Sequence, residues 1–202
     1  LTLPAGVTRV MLATSRGRFA ALTAGEADPE SPVVLLVPGW TGSKEDFATL
    51  LPHLAAAGRR VVAFDQRGQF ETPGSDDPGA YTLPSLAADA LSVARTASPR
   101  PVDLVGHSFG GLVVTQAVLD APTALNSAVL LCSGPGALPL DRHPEIAILS
   151  EALRTLGPQA TWTAMREHER TAGLPAPPPD IEAWMRKRFL RNHPVALSAK
   201  TD

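Results

Sequence analysis

The sequence predicts an α/β fold in which a mostly parallel sheet is flanked by helices. Three short apolar runs are rich in β-branched residues and lack polar alternation: 33–37, 61–64 and 102–105. Such runs are typical of strands buried on both faces of a parallel sheet. Amphipathic segments follow each of them in turn, at about 44–57, 83–97 and 109–120. Strands that alternate with helices in this way indicate right-handed βαβ units.

Two further segments extend this core. Residues 7–14 and 18–23 flank a Ser-Arg-Gly turn, and the pattern predicts a β-hairpin. Residues 128–132 form a fourth apolar run and predict another parallel strand. The run ends with the single cysteine, Cys132, which we expect to be a buried, unreactive thiol. One cysteine excludes an intramolecular disulfide and cannot build a zinc site alone.

Length and composition limit the classes of protein that fit. A chain of 202 residues with 44% hydrophobic content can bury one sizeable core. The formal net charge of -2 gives no reason to expect nucleic acid or an anionic membrane as a partner. No apolar stretch approaches the ~20 residues that span a bilayer, and the first residues do not resemble a signal peptide. We therefore expect a cytoplasmic protein with a small-molecule substrate, whose oligomeric state the sequence does not indicate.

The pattern changes after Ser133, where a connector rich in proline and glycine leads into helical stretches. These stretches lie at about 145–156, 158–172 and 180–191, with no strand pattern between them. They predict a helical cap inserted after a strand, whereas an independent helical domain would be unusually short. The predicted organisation has three parts: the N-terminal part of the core at 1–136, the cap at 137–192 and the start of the return to the core at 193–202.

Residues 106–110 read Gly-His-Ser-Phe-Gly and match the motif Gly-x-Ser-x-Gly. A predicted buried strand enters the motif and a predicted helix leaves it, which is the context of a nucleophile elbow. The strained turn of an elbow leaves room only for residues without a Cβ atom, here Gly106 and Gly110. We therefore predict that Ser108 is a catalytic nucleophile. The alternative is a serine in an ordinary glycine-rich turn.

A candidate oxyanion hole lies one βα unit earlier, where residues 38–42 read Pro-Gly-Trp-Thr-Gly. Acyl transfer requires preorganised N–H donors for the developing oxyanion. The backbone N–H groups of Trp40 and Phe109 are the candidates. The same residues could instead form an ordinary loop with a packed Trp40, and both interpretations can hold, since the backbone donates while the indole packs.

On these motifs the chain resembles the α/β-hydrolases that carry a helical cap, over nearly all of its length. Members usually have His-Gly before the oxyanion residue, Asp-x-Arg-Gly after the next strand, and Gly-x-Ser-x-Gly-Gly. Here Pro38 replaces the histidine, whereas residues 65–68 and 106–111 match. The resemblance implies that Asp65 and Arg67 are structural and hold the loop beneath the site. It also implies that His107 is not catalytic.

A serine nucleophile needs a general base and an acid that orients it, and this fold supplies them in the chain order Ser, Asp or Glu, His. The resemblance places both after strands that these 202 residues do not contain. We therefore expect the triad acid and histidine, with the last strands and helices of the fold, in roughly 70 to 90 residues outside this chain.

Three histidines follow Ser108 within the chain itself. His143 and Asp141 form the only local acid/base pair, and we interpret both as solvated residues of the connector. His168 lies in a run of charged residues, which predicts the solvent-exposed face of a cap helix. His193 precedes a proline and predicts a helix boundary.

The expected function is hydrolysis of an ester-like bond in a small, apolar substrate, through an acyl-enzyme on Ser108. No cofactor or metal is implied. Serine at the elbow argues against epoxide hydrolases and haloalkane dehalogenases, which use a carboxylate nucleophile. A carbon–carbon bond hydrolase, a cofactor-free haloperoxidase and a non-catalytic ligand binder remain open, because one fold hosts many chemistries.

The predicted cap is rich in large apolar side chains. They either line a substrate pocket or form the core of the cap, since helix-spaced aromatic residues do both: Trp162, Met165, Trp184, Met185 and Phe189.

Overall fold

A computed structural model of the chain describes residues 2–26, 31–134, 136 and 144–200. Its strands are β1 (Thr8–Thr14), β2 (Gly17–Ala24), β3 (Val33–Val37), β4 (Arg60–Phe64), β5 (Val102–His107) and β6 (Leu125–Leu131). Its α-helices are α1 (Leu51–Ala56), α2 (Leu83–Ala97), α3 (Phe109–Asp120), α4 (Pro144–Thr155), α5 (Gly157–Thr171), α6 (Pro179–Leu190) and α7 (Pro194–Ala199). Short 3-10 helices occupy Lys44–Phe47, Pro78–Tyr81 and Pro122–Ala124.

The strands form one sheet in the order β1-β2-β4-β3-β5-β6. The hairpin of β1 and β2 is antiparallel and joins β4 antiparallel, whereas β4, β3, β5 and β6 run parallel. The predicted fold class, a mostly parallel sheet flanked by helices, is therefore confirmed. Two details differ: the predicted helix at 44–57 is split into a 3-10 helix and α1, and α7 was not predicted. None of the described helices is long and apolar enough to cross a membrane.

The side chains of β3 show why its sequence is apolar throughout. Val33, Leu35 and Val37 pack into a core cluster with the buried faces of α2 and α3. Val34 and Leu36 point to the other face, into a cluster with side chains of α1 and the first 3-10 helix. Successive side chains of β3 point to opposite faces of the sheet, and helices cover both faces. The strand is therefore apolar throughout and does not alternate between apolar and polar residues.

The outermost strand, β6, differs from this pattern. Val129 is 49% exposed and Leu131 is 43% exposed, although both are apolar. Cys132 is exposed as well, so the expectation of a buried thiol was wrong. An apolar run predicts a strand but not its position in the sheet, and β6 lies at an edge of the described sheet.

A buried cluster of charges lies at the carboxyl end of β4. The ammonium nitrogen of Lys44 is 2.8 Å from Asp65 Oδ2, 2.7 Å from Glu71 Oε2 and 3.1 Å from Glu45 Oε1. The side chains of Lys44 and Asp65 are at most 1% exposed. Burial raises the pKa of Asp65 to about 6, although the positive charge of Lys44 opposes that shift.

Arg67 connects β4 to two other elements. Its Nε and one terminal nitrogen each donate to the carboxylate of Asp89 on α2, at 2.7 Å. The same terminal nitrogen donates to the backbone carbonyl of Arg16, in the turn of the hairpin, at 2.9 Å. Arg16 also donates to Asp89. The guanidinium therefore joins the β4 loop, α2 and the hairpin.

We expect Lys44→Met to destabilise the protein by about 3–5 kcal/mol at pH 7, because it leaves Asp65 buried without a counter-charge. The pKa of Asp65 is higher in the folded than in the unfolded protein, so the folded state binds its proton more tightly. The stabilisation from that proton is fully present below the unfolded pKa and is lost as the pH rises through about 6. Without Lys44 this pKa rises further. Chemical denaturation at several pH values should therefore show that Lys44→Met lowers the free energy of unfolding less at pH 5 than at pH 7.

The double variant Lys44→Met/Asp65→Asn is the matched control. It removes one of the two buried negative charges beside Lys44, that of Asp65, and leaves the other, that of Glu45. It should therefore regain part of the lost free energy of unfolding and remove the part of the added pH dependence that comes from Asp65. An equal loss in the single and double variants would contradict this interpretation.

Candidate active site

The carboxyl edge of the sheet has a topological switch point between β3 and β5. The chain continues from β3 to β4 on one side and from β5 to β6 on the other, although β3 and β5 are neighbours. In open α/β sheets, ligands bind in the crevice where the strand order reverses in this way. Pro38 directly follows β3 and Ser108 directly follows β5, so the sequence-predicted residues lie at this crevice.

Ser108 occupies a sharp turn between β5 and α3. Its φ of 51° and ψ of -121° fall in a region that residues with side chains rarely adopt. Two backbone hydrogen bonds hold the turn: Ser108 N–H donates to Leu131 on β6 at 2.9 Å, and Gly111 N–H donates to the Ser108 carbonyl at 2.8 Å. Ser108 is exposed. The predicted strand, turn and helix are thus present around it.

The glycines beside Ser108 permit an unusually close approach of backbone segments. A Cβ atom on Gly106 would lie 2.3 Å from the carbonyl oxygen of Gly110. A Cβ atom on Gly110 would lie 2.3 Å from the carbonyl oxygen of Val37, at the end of β3. Because the atoms in the way are backbone, neither clash can be relieved by moving a side chain.

The loop after β3 reaches this turn. A Cβ atom on Gly39 would lie 3.3 Å from Ser108 Cβ, so the backbone of the loop runs alongside Ser108. The N–H of Trp40 donates to no described group. Phe109 is the first residue of α3, and its N–H therefore has no acceptor within the helix. Both backbone donors remain available to an anion.

The indole of Trp40 connects the same loop to the helices that follow β6. Its Nε1 donates to the backbone carbonyl of Leu197 on α7 at 2.8 Å. The ring packs against a cluster of buried side chains, here called the cap cluster: Leu153, Trp162, Phe189 and Leu197. Trp40 therefore belongs to the loop that runs beside Ser108, and its side chain contacts α7.

The large apolar residues of the predicted cap have different environments. The rings of Trp162 and Phe189 pack together with centroids 5.5 Å apart, and both are buried in the cap cluster. Met165 and Met185 are partly buried against it. Trp184 is covered by the guanidinium of Arg188, 4.7 Å from the ring centroid. Trp162 and Phe189 thus form the core of this helical region.

Two glutamines that sequence reasoning did not single out hold the loop after β3. Gln66 Nε2 donates to the carbonyl of Pro38 at 2.7 Å. Gln69 Nε2 donates to the carbonyls of Gly39 at 2.7 Å and Trp40 at 2.9 Å. Gln66 lies inside the Asp-x-Arg-Gly motif, and this position could have indicated a structural role for it. Gln69 lies just outside that motif, so the sequence offers no comparable signal for it.

None of the histidines in the described part of the chain bonds to the hydroxyl of Ser108. His107 lies beside Gly39, where a Cβ atom would be 3.3 Å from its Nδ1. His193 stacks on Tyr81, and its Nε2 is 3.5 Å from Asp76. His168 is exposed near the end of α5.

The local acid/base pair of Asp141 and His143 lies outside the described residues. Within those that are described, no group of three His, Cys, Asp or Glu side chains could hold a metal ion.

We expect Gly106→Ala to destabilise the protein by at least about 2 kcal/mol, because its methyl group would overlap the backbone at Gly110. Gly134→Ala is the matched control, since the nearest atom to a Cβ there is 3.9 Å away. Thermal unfolding of both variants checks the prediction. Similar unfolding temperatures in the two would contradict the close approach described above.

Comparison with known proteins identifies the family. The family model for the alpha/beta hydrolase fold matches residues 32–167. The candidate carbamate hydrolase RutD of Variovorax paradoxus is 43% identical over 108 residues, which cover 53% of this chain and 39% of the relative. Epoxide hydrolase B of Mycobacterium tuberculosis is 32% identical over 96 residues, covering 48% of this chain and 27% of the relative. The chain thus spans less than half the length of these relatives.

A solved structure supports the same fold over a longer stretch. The enol-lactonase from Burkholderia xenovorans superposes with a TM-score of 0.77 and 17% identity, covering 95% of this chain and 72% of that one. At this identity the likeness concerns the fold alone. Together with the family match over 32–167, it shows that the chain belongs to the α/β-hydrolase fold family.

Proposed function

We propose that this protein is a hydrolase that cleaves an ester-like bond in a small, apolar substrate through an acyl-enzyme on Ser108. The observation that carries the proposal is the turn at Ser108. Its backbone is held at a φ of 51°, its side chain is exposed, and two backbone N–H groups nearby, those of Trp40 and Phe109, have no described acceptor. Strain of this kind persists only where the surrounding structure enforces it, and it is concentrated at functional sites.

In the proposed reaction the hydroxyl oxygen of Ser108 attacks the carbonyl carbon of the substrate. Negative charge develops on the carbonyl oxygen and is stabilised by the N–H groups of Trp40 and Phe109. The N-terminus of α3 favours the same charge. Collapse of the tetrahedral intermediate breaks the bond to the leaving group, which receives the proton that Ser108 gave to the general base. Water then attacks the acyl-enzyme, which releases the acid and restores the Ser108 hydroxyl.

The proton of Ser108 must pass to a general base. No described side chain bonds to the hydroxyl, so we propose that the histidine and its orienting acid belong to parts of the protein outside the described residues. The carboxylate nucleophile of an epoxide hydrolase is replaced here by serine, which favours acyl transfer over epoxide opening. A carbamate has the acyl carbon that this machinery would attack, as the relative named for that reaction suggests.

We further propose that 1–136 form the N-terminal part of the catalytic core, 137–192 the cap and 193–202 the return to the core. The cap cluster supports a compact helical unit, since it joins side chains of α4, α5 and α6. Leu197 of the returning segment belongs to the same cluster and accepts the hydrogen bond from Trp40. The cap would therefore meet the core at the loop after β3 that contains Trp40.

We expect a fluorophosphonate probe to label Ser108 in the complete, folded protein, because this reagent reacts with activated serines. Mass spectrometry of the labelled peptide identifies the site, and Ser108→Ala is the control that should remain unlabelled. A folded protein that resists the probe would contradict the hydrolase and favour a non-catalytic ligand binder.

A second experiment separates the role of the Trp40 backbone from that of the Trp40 side chain. Trp40→Ala should change substrate preference and leave kcat for a small ester within about tenfold, because the backbone donor remains. Gly39→Val should lower kcat by up to ~10²–10³-fold, the loss seen when an oxyanion donor is removed. The physical reason is the 3.3 Å separation between a Cβ at Gly39 and Ser108 Cβ.

Trp40→Phe is the control for the lost indole N–H, since it keeps a ring in the cap cluster. Steady-state kinetics on short and long esters measures all three variants. A larger loss of kcat in Trp40→Ala than in Gly39→Val would assign the main role to the indole.

A further inference from the structure

Three consecutive carbonyl groups of the loop after β3 are bonded to glutamine side chains. The carbonyl of Pro38 accepts from Gln66, and those of Gly39 and Trp40 accept from Gln69. Both side chains are buried, since Gln66 is 2% exposed and Gln69 is 1% exposed. These bonds are therefore shielded from competing water.

The bond to Gly39 determines where the N–H of Trp40 points. The carbonyl of Gly39 and the N–H of Trp40 belong to one planar, trans peptide unit, in which the two groups point in opposite directions. Gln69 Nε2 holds the carbonyl on one side of the loop, as does Gly42 N–H at 3.2 Å. The N–H of Trp40 must then point to the other side.

The orientation of the Gln69 amide is itself fixed. Its Oε1 accepts the backbone N–H of Gln66 at 3.0 Å. The backbone N–H of Gln69 donates to the Gln66 carbonyl at 2.9 Å and holds the two residues together. Because Oε1 faces an N–H donor, the NH₂ group must face the two carbonyls. Reversing the amide would place oxygen against oxygen at Gly39 and Trp40.

We propose that Gln69 is a positioning residue that directs the N–H of Trp40 toward the oxyanion, and that Gln66 holds the preceding peptide in the same way. This rests on the proposed acyl transfer at Ser108. Glycine at position 39 allows its peptide unit to rotate, and a rotated unit would present a carbonyl oxygen to the developing negative charge. The bond from Gln69 opposes that rotation.

Gln69→Met tests the proposal, since it keeps the length of the side chain and removes both donors. We expect kcat for a small ester to fall by about 10- to 100-fold with KM within about threefold, because only transition-state stabilisation is lost. Affinity for an aryl boronic acid, whose adduct with serine carries an oxyanion, should fall by a similar factor.

Asn192→Leu is the matched control. Asn192 is also buried, and its amide also donates to two backbone carbonyls, those of Arg188 and Phe189. This variant should lower the unfolding temperature but leave kcat and boronate affinity within about twofold. If Gln69→Met keeps kcat within twofold, or if both variants lose activity in proportion to stability, the positioning role is overturned.

Amide hydrogen exchange separates this inference from the proposed function. Gln69→Met should speed exchange of the Gly42 amide, which donates to the carbonyl of Gly39, by at least about tenfold, whether or not the protein turns over esters. If the unsubstituted protein is not labelled by a fluorophosphonate, the proposed function is wrong and exchange alone decides whether Gln69 holds the loop. Unchanged exchange would overturn the inference in either case.

Discussion

The close backbone contact at Gly106 and Gly110 is the constraint on which the rest of the site depends. It brings the start of α3 against the carbonyl of Val37, so that the end of β3 and the turn after β5 share one small volume. Ser108 reaches its strained φ because β6 and α3 hold its backbone on both sides. Packing of the whole sheet thus supports one unfavourable dihedral angle, and the loop after β3 is placed beside the serine as a consequence.

Sequence reasoning identified the features that are local in the chain. The run at 33–37 specified a doubly buried strand, and the motif at 106–110 specified a turn between strand and helix. The exposure of Cys132 was not predictable from its apolar run, because a strand's own residues do not reveal its neighbours. The bonds made by Gln69 were equally hidden, since they join loops that approach only when β3 and β4 pair.

The segment at 65–68 shows how one short motif connects several elements. Asp65 accepts from Lys44 in the 3-10 helix that follows the loop after β3, whereas Gln66 donates to Pro38 in that loop itself. Arg67 points away to Asp89 on α2. Successive side chains along an extended segment diverge, and here that divergence lets three adjacent residues reach three different parts of the fold. These contacts are of the structural kind that the resemblance implied for Asp65 and Arg67.

Trp40 is held by two independent sets of hydrogen bonds. Gln69 binds the carbonyls on either side of its backbone, and Leu197 on α7 binds its indole. The side chain is joined to the backbone through rotatable bonds, whereas the peptide unit is planar and rigid. A shift of α7 can therefore be absorbed by rotation of the indole without turning the backbone N–H. The hydrogen bonds from Gln69 to the peptide units on both sides of Trp40 are therefore independent of the bond between its indole and α7.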